Sequence, residues 1–143
     1  LGYFLLHCGK PERALELNLK AVNYDPTPDI QDNLAAAYIA VGDWENADII
    51  CNKVIETNPA FSEAWYHAGI IAEHFGDYET ADSHFKRSHR SIFSSLSLLK
   101  KDTVEEKIQE IHIKLEKQDV LSDNTMSEKA LRLTESKNEN TPD

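Results

Sequence analysis

One predicted helix carries four histidine and glutamate residues, whose side chains are of types that can ligate a metal. They are Glu63, His67, Glu73 and His74. Because a helix rises 1.5 Å per residue, His67 and His74 are roughly 10 Å apart. A zinc ion holds its ligands at about 2.0–2.3 Å, so one ion cannot bridge these two imidazoles without other ligands. We therefore predict no metal site, and we expect surface or hydrogen-bonded histidines.

Other motifs that carry chemistry are missing from the sequence. Its two cysteines, Cys8 and Cys51, are far apart, and no Cys-x-x-Cys spacing supports redox chemistry. The sequence has no glycine-rich phosphate loop, no Gly-x-Ser-x-Gly turn and no His-Glu-x-x-His motif. We therefore predict that the protein is not an enzyme and that it binds no cofactor.

The composition limits the class of protein and its partners. The 143 residues allow one ordinary domain or a short array of repeated units, and 41% hydrophobic residues allow a folded core. The formal net charge of −10 opposes binding to nucleic acid. The longest apolar run, Leu34 to Val41, is too short to insert into a membrane. With two cysteines and no Asn-x-Ser/Thr site, we expect an intracellular, cytoplasmic protein.

A six-residue block occurs three times and indicates repeated helical hairpins. It begins with Gly and ends with Ala at residues 9–14, 42–47 and 76–81, with a period of 33 and then 34 residues. The glycine suits the left-handed residue that ends one helix, and Asp43 or Asp77 can cap the next. Pro26 and Pro59 end two of the second helices, since proline lacks the amide that a further turn needs.

These blocks and their surroundings resemble the tetratricopeptide repeat, whose pattern is Trp-x2-Leu-Gly-x2-Tyr, then Ala-x3-Phe, then Pro. Three units share the resemblance, the first of them truncated, and the residues that carry it are Leu1, Gly2, Ala14, Pro26, Leu34, Tyr38, Ala47, Pro59, Trp65, Gly69, Ala81 and Phe85. The resemblance covers residues 1 to about 92. It implies an all-α, right-handed α-α superhelix of three hairpins, at 1–27, 28–61 and 62–92.

In tetratricopeptide folds the first helices line a concave groove, so the resemblance implies that one row of side chains meets a partner there. The predicted row consists of Asp29, Asp32, Ile39, Glu63, Tyr66, Ile70, Glu73 and His74. Between residues 21 and 85 the sequence has 12 carboxylates and a single cation among Lys and Arg, Lys53. This mixture favours a protein or peptide partner that is basic or amphipathic. The alternative is that the carboxylates only keep the array hydrated.

One subtype of the family does not fit these residues. Its chaperone-binding members hold the C-terminal carboxylate of a peptide with Lys, Arg and Asn of successive first helices. Asn33 is compatible with that grip, but Glu63 and His67 stand where the third unit would need basic residues. We therefore expect the groove to repel an acidic peptide terminus.

The remaining residues are predicted to cap the array and then to become disordered. Two apolar stripes at helical spacing predict capping helices over residues 93–118. The first stripe is Ile92, Phe93, Leu96 and Leu99, and the second is Val104, Ile108, Ile111 and Leu115. The second stripe either packs on the array or pairs with another helix, and we favour packing on the array. Residues 119–143 are rich in Ser, Asn, Glu and Lys, so a disordered polar tail is expected there.

Together these features predict a protein-interaction scaffold that takes part in a multiprotein complex. Two alternatives stay open. One is the recruiting or regulatory arm of a larger enzyme, for example a glycosyltransferase that contains such repeats. The other is a structural subunit whose groove is filled by a second copy or by its own C-terminal helix.

Overall fold

The computed structural model describes residues 2–93 and 97–138, and these residues form helices joined by short connections. No strand occurs within these ranges. The helices are α1 (Gly2–His7), α2 (Pro11–Tyr24), α3 (Pro28–Val41), α4 (Trp44–Thr57), α5 (Ser62–His74), α6 (Tyr78–Arg90) and α7 (Lys101–Asn138). The predicted all-α class is confirmed, with three successive hairpins followed by a C-terminal helix.

The corners of the hairpins form as the recurring block predicts. The glycines of the three corners have φ between +68° and +81°, in the left-handed region that other residues rarely adopt. Asp43 and Asp77 then cap α4 and α6, because their carboxylates accept the backbone N–H groups of Asn46 and Thr80 at 3.2 and 3.1 Å. In the second and third hairpins, two adjacent residues therefore determine how the second helix leaves the first, whereas α2 follows Lys10 without a side-chain cap.

Neighbouring hairpins share their cores. Ala35 of α3, Cys51 of α4 and Ile71 of α5 belong to one buried cluster, together with the small residues Ala47 and Ala68. Burial raises the pKa of the Cys51 thiol well above its ordinary value, so this cysteine acts as a core residue and not as a nucleophile. The stability of each hairpin thus depends on contacts with the next one.

The first half of α7 covers the end of the array. Val104 and Ile111 are fully buried and lie in one cluster with Phe85 of α6. Ile108 and Leu115 are partly buried against the same cluster. The predicted second stripe therefore packs on the array, and α7 is a capping helix.

The connection between α6 and α7 differs from the predicted first capping helix. α6 ends at Arg90, and residues 91–93 and 97–100 are not helical. Ile92, which was expected on a helical stripe, is 73% exposed. Leu96 of the same stripe lies outside the described residues.

Hydrogen bonds to the preceding hairpin explain why the helix ends there. The Ile92 N–H donates to the carbonyl of Ala60 at 3.0 Å, and the Ile92 carbonyl accepts from the Ser62 N–H at 3.1 Å. These two bonds form one parallel bridge between Ile92 and Phe61. The Ser62 hydroxyl also donates to the carbonyl of Ser88 at 2.8 Å, near the end of α6. Backbone groups that a longer helix would use therefore have partners elsewhere.

The end of the chain also differs from the expected disordered tail, because residues 119–138 continue α7. The segment has no Gly or Pro, so it lacks the two residue types that oppose a helix most strongly. The side chains of residues 116–136 are exposed throughout, so this half of the helix lacks a packed face. Residues 139–143 lie outside the described residues. Although α7 is long, neither it nor any other helix in the described ranges has an apolar stretch that could cross a membrane.

Replacing Gly69 with Ala should destabilise the fold, although alanine is the better helix former. A Cβ atom at residue 69 would lie 2.6–2.9 Å from ring atoms of Phe85, which is fully buried. We expect Gly69→Ala to lower the free energy of unfolding in urea by about 1–3 kcal/mol. In a chain that already carries Phe85→Leu, the same change should cost much less. An equal cost in both backgrounds would mean that the ring is not responsible.

Candidate binding site in the groove

An open cavity lies on the face where the first helices of the three hairpins meet. The N-terminal halves of α3 and α5 form two of its walls, and the connection before α7 forms a third. Its volume is about 400 Å³. We name it the groove cavity, and its lining residues are His7, Asp29, Asp32, Asn33, Phe61, Glu63, Tyr66, His67, Ser97, Leu98, Leu99 and Thr103.

Three carboxylates dominate the charge of the groove cavity. Asp32 and Glu63 are each only 6% exposed, and Asp29 is half-buried in the first turn of α3. The lining residues, all from the described part of the chain, include no Lys or Arg. The cavity therefore has a negative field, which its partly desolvated walls strengthen. In residues 2–93 and 97–138, no group of three or more His, Cys, Asp or Glu side chains could hold a metal ion.

His67 links the second and third hairpins through Asp32. Its Nδ1 lies 2.8 Å from Oδ1 of Asp32, and its side chain is 19% exposed. Burial alone would lower the pKa of His67, but the charge and hydrogen bond of Asp32, with Glu63 nearby, raise this pKa above its ordinary value. The imidazole therefore stays protonated to a higher pH than an exposed histidine and attracts the facing carboxylate.

Apolar groups line the rest of the cavity. Phe61 is buried, Tyr66 is half-buried, and Leu98 and Leu99 come from the connection before α7. The Tyr66 ring packs on Phe85 with 5.6 Å between ring centroids. Burial raises the pKa of the Tyr66 phenol, so its hydroxyl stays protonated and can donate a hydrogen bond. The site thus combines negative charge with an apolar wall.

The predicted row of eight groove residues divides into two halves. Those that line the cavity are Asp29, Asp32, Glu63 and Tyr66. Those that the structure places elsewhere are Ile39, Ile70, Glu73 and His74. The division follows position along the helices, because the cavity occupies only the N-terminal halves of α3 and α5.

Glu73 and Ile70 contact α7. Oε1 of Glu73 accepts from Lys114 Nζ at 2.6 Å, and Oε2 accepts from Lys107 Nζ at 3.2 Å. Ile70 packs against the apolar cluster that α6 and α7 share. Burial would raise the pKa of Glu73, but the two lysines lower it below its ordinary value. Both residues therefore hold the capping helix in place.

Ile39 and His74 contribute to packing between hairpins. Ile39 packs against the buried cluster of α3, α4 and α5. The His74 ring stacks on Trp44, with 3.7 Å between centroids and an interplanar angle of 11°. Trp44 itself packs on the same cluster, so His74 extends a contact between the second and third hairpins.

Sequence reasoning missed the lining residues that lie outside the regular row. His7 comes from α1, Thr103 from α7, and Ser97 and Leu98 from the connection. The connection turns where the Leu99 N–H donates to Oγ of Ser97 at 2.9 Å. Its apolar residues were a visible signal, but their spacing suggested a helix.

Comparisons with known proteins agree with this architecture. Residues 50–82 match the family model described as tetratricopeptide repeat. The tetratricopeptide domain of Sgt2 from Aspergillus fumigatus is 21% identical, with a TM-score of 0.68 over 82% of this chain and 76% of that chain. The first such domain of human RPAP3 is 19% identical, with a TM-score of 0.68 over 82% and 89%. The second domain of human RPAP3 is 21% identical, with a TM-score of 0.60 over 78% and 88%.

This chain therefore contains a tetratricopeptide repeat at residues 50–82 and has the solenoid fold of tetratricopeptide-repeat domains, which confirms the resemblance found in its sequence. No curated protein sequence matches the chain significantly.

The Asp32–His67 pair should be visible in a histidine NMR titration. We expect the pKa of His67 to lie above the ordinary value of about 6.5 and to fall in Asp32→Asn. His84 serves as an internal reference, because burial lowers its pKa despite nearby Asp48 and Asp77 and the substitution should not move it. A His67 pKa that is unchanged by Asp32→Asn would rule out the pairing.

The same pair predicts how stability changes with pH. The folded chain holds the His67 proton more tightly than the unfolded chain. The stabilisation is therefore complete below about pH 6.5 and is lost as the pH rises through the raised pKa. Urea unfolding across this pH range should show that the free energy of unfolding falls less in Asp32→Asn than in the natural chain.

Glu73→Gln should loosen α7 without unfolding the hairpins. Because Glu73 is 13% exposed and bonded to two lysines, we expect a loss of about 1–2 kcal/mol in the free energy of unfolding. Hydrogen exchange should accelerate in residues 104–115 more than in α3. Glu79→Gln, an exposed change in the first turn of α6, is the matched control. Similar exchange in both variants would contradict a role of Glu73 in holding α7.

Proposed function

We propose that this chain is a non-catalytic interaction module that binds a basic, amphipathic segment of a partner protein in the groove cavity. One observation carries the proposal. Asp32 and Glu63 are buried carboxylates beside an apolar wall, in a cavity whose lining residues, within the described ranges, include no Lys or Arg. Such a surface attracts cations and at the same time offers contacts to aliphatic side chains.

The size of the cavity suits a short segment and not a folded domain. Its volume of about 400 Å³ lies near the lower end of the range of about 300–1,000 Å³ that is usual for ligand pockets. A few side chains can therefore enter while the backbone of the segment stays at the mouth. The Tyr66 hydroxyl and the Asn33 side chain are neutral groups in the lining that can orient polar parts of the ligand.

Structural relatives support peptide binding as the type of function. The second domain of human RPAP3 was solved with the HSP70 peptide SGPTIEEVD, and the first domain of Spaghetti with the HSP90 peptide SRMEEVD. Their sequence identities of 21% and 20% are too low to transfer a ligand. The ligand's charge is instead inferred from Asp29, Asp32 and Glu63, which oppose an acidic peptide such as these.

The direct test compares two fluorescein-labelled peptides on the intact chain. One is a short helical peptide of Leu, Lys and Arg, and the other is SGPTIEEVD. We expect saturable binding of the basic peptide, measured by fluorescence anisotropy, with an affinity that falls as salt is added. Comparable binding of the acidic peptide would contradict the proposed charge preference.

Two double variants locate the binding. Asp29→Asn/Glu63→Gln removes two cavity charges and leaves the Asp32–His67 pair intact, so the basic peptide should bind about tenfold more weakly. Glu45→Gln/Glu79→Gln removes the same charge from exposed first turns of α4 and α6 and is the matched control. Equal losses in both variants would mean that only the net charge of the protein attracts the peptide.

The affinity should also depend on pH through His67. When His67 loses its proton, the cavity becomes more negative, so the basic peptide should bind more tightly as the pH rises through the raised pKa of His67. The rise should move to lower pH in Asp32→Asn. An affinity that is constant across this range would contradict binding next to His67.

A further inference from the structure

The second half of α7 has a helical face that nothing in the described ranges covers. Eleven residues, close to three helical turns, separate Leu115 of the packed stripe from Met126. Met126 therefore continues the stripe, followed at steps of three and four by Lys129 and Leu133. Met126 and Leu133 are 71% and 59% exposed, although their counterparts in the first half of α7 are packed on α6.

This face has the chemistry that the groove cavity favours. Arg132 lies one turn after Lys129, so residues 126–133 carry two cations beside apolar side chains, with Glu128 as the only carboxylate of the segment. Lys129 and Arg132 are both exposed. The charge of this segment is complementary to that of the acidic cavity.

Another basic cluster, at residues 86–90, contacts side chains of the array through two of its members. Lys86 Nζ lies 2.6 Å from a carboxylate oxygen of Asp82. The Arg87 guanidinium lies 5.6 Å from the ring centroid of Trp65. Residues 126–133, in contrast, form a basic face on the part of α7 that lies beyond the packed stripe.

The basic face of α7 is too far away to enter the cavity of its own chain. α7 starts at the cavity, where Thr103 belongs to the lining, and continues without a break to residue 138. Lys129 is 26 positions further along, which places it about 39 Å away at the rise of an α-helix. An occupant with this sequence must therefore come from a second copy.

We propose that residues 126–133 of one copy dock in the groove cavity of another, with Lys129 and Arg132 directed at Asp29 and Glu63. This inference rests on the proposed function and names a second copy of this chain as the partner. The contact joins two different surfaces, so a docked pair keeps one unused tail on one copy and one unused cavity on the other. Copies therefore add head to tail and form chains that lengthen with protein concentration.

Sedimentation velocity at low salt on the full chain tests the proposal. We expect the mass of the natural chain to rise with concentration above the 16.2 kDa of one copy and beyond that of a dimer. A tail variant, Lys129→Glu/Arg132→Glu, and a cavity variant, Asp29→Asn/Glu63→Gln, should each dissociate to single copies. Their equimolar mixture should form a dimer and nothing larger, because the intact tail of one variant fits the intact cavity of the other.

A matched control excludes a general effect of charge. Lys53→Glu/Lys117→Glu changes the net charge as much as the tail variant does, at exposed positions outside residues 126–133, and should assemble like the natural chain. Assembly that persists in the cavity variant would overturn the proposal, since the tails would then pair with each other. A natural chain that stays monomeric at all concentrations would also overturn it. If the chain stays monomeric but the basic peptide still binds in the cavity, the proposed function holds and only self-assembly is wrong. If the peptide does not bind either, both proposals are wrong.

Discussion

The burial of each hairpin's apolar stripe against the next hairpin is the constraint on which this structure depends. Ala35, Cys51 and Ile71 come from three helices of two hairpins, so this part of the core forms between hairpins and not within one of them. An array built in this way always leaves its last stripe uncovered. The first half of α7 covers it with Val104 and Ile111, which explains why a helix outside the repeats is part of the same folded unit.

This requirement also determines which residues of the inner face are available to a ligand. Towards the C-terminal ends of the first helices, Ile70 and Glu73 serve the capping helix, and His74 serves the contact with Trp44. Towards the N-terminal ends, neighbouring helices leave the space that forms the groove cavity. The acidic residues of one row therefore have two roles. Glu73 is neutralised by lysines of the cap, whereas Asp32 pairs with a titrating histidine.

The parts of the fold that depend on residues close together in the sequence were predictable. A glycine followed by aspartate, as at Gly42-Asp43, has one favourable arrangement at a helix corner, and the structure shows it. The row of side chains on each first helix followed from helical spacing alone. Which members of that row line a cavity depends on contacts across the array, and spacing carries no information about those.

Two features at the C-terminal end could not be predicted for related reasons. The spacing of Ile92 and Phe93 favoured a helix, but two backbone hydrogen bonds to the turn before α5 determine the conformation, and such bonds leave no pattern in side-chain types. The polar composition after Asp119 is typical of disorder. It is equally compatible with an exposed helix, because composition does not distinguish a solvated helix from a solvated coil.

The parallel bridge between Ile92 and Phe61 holds the connection before α7 in place through main-chain atoms and not through side chains. The bridge consists of main-chain hydrogen bonds, and the Ile92 side chain points largely into solvent. Side chains further along, at Ser97, Leu98 and Leu99, form one wall of the groove cavity and take no part in the bridge. Leu99 also packs on the cluster of α6 and α7, and Ser97 accepts the Leu99 N–H, so Leu98, which is 63% exposed, is the wall residue with the most freedom to vary. The surface of the cavity can therefore change at Leu98 while the helical repeats stay unchanged.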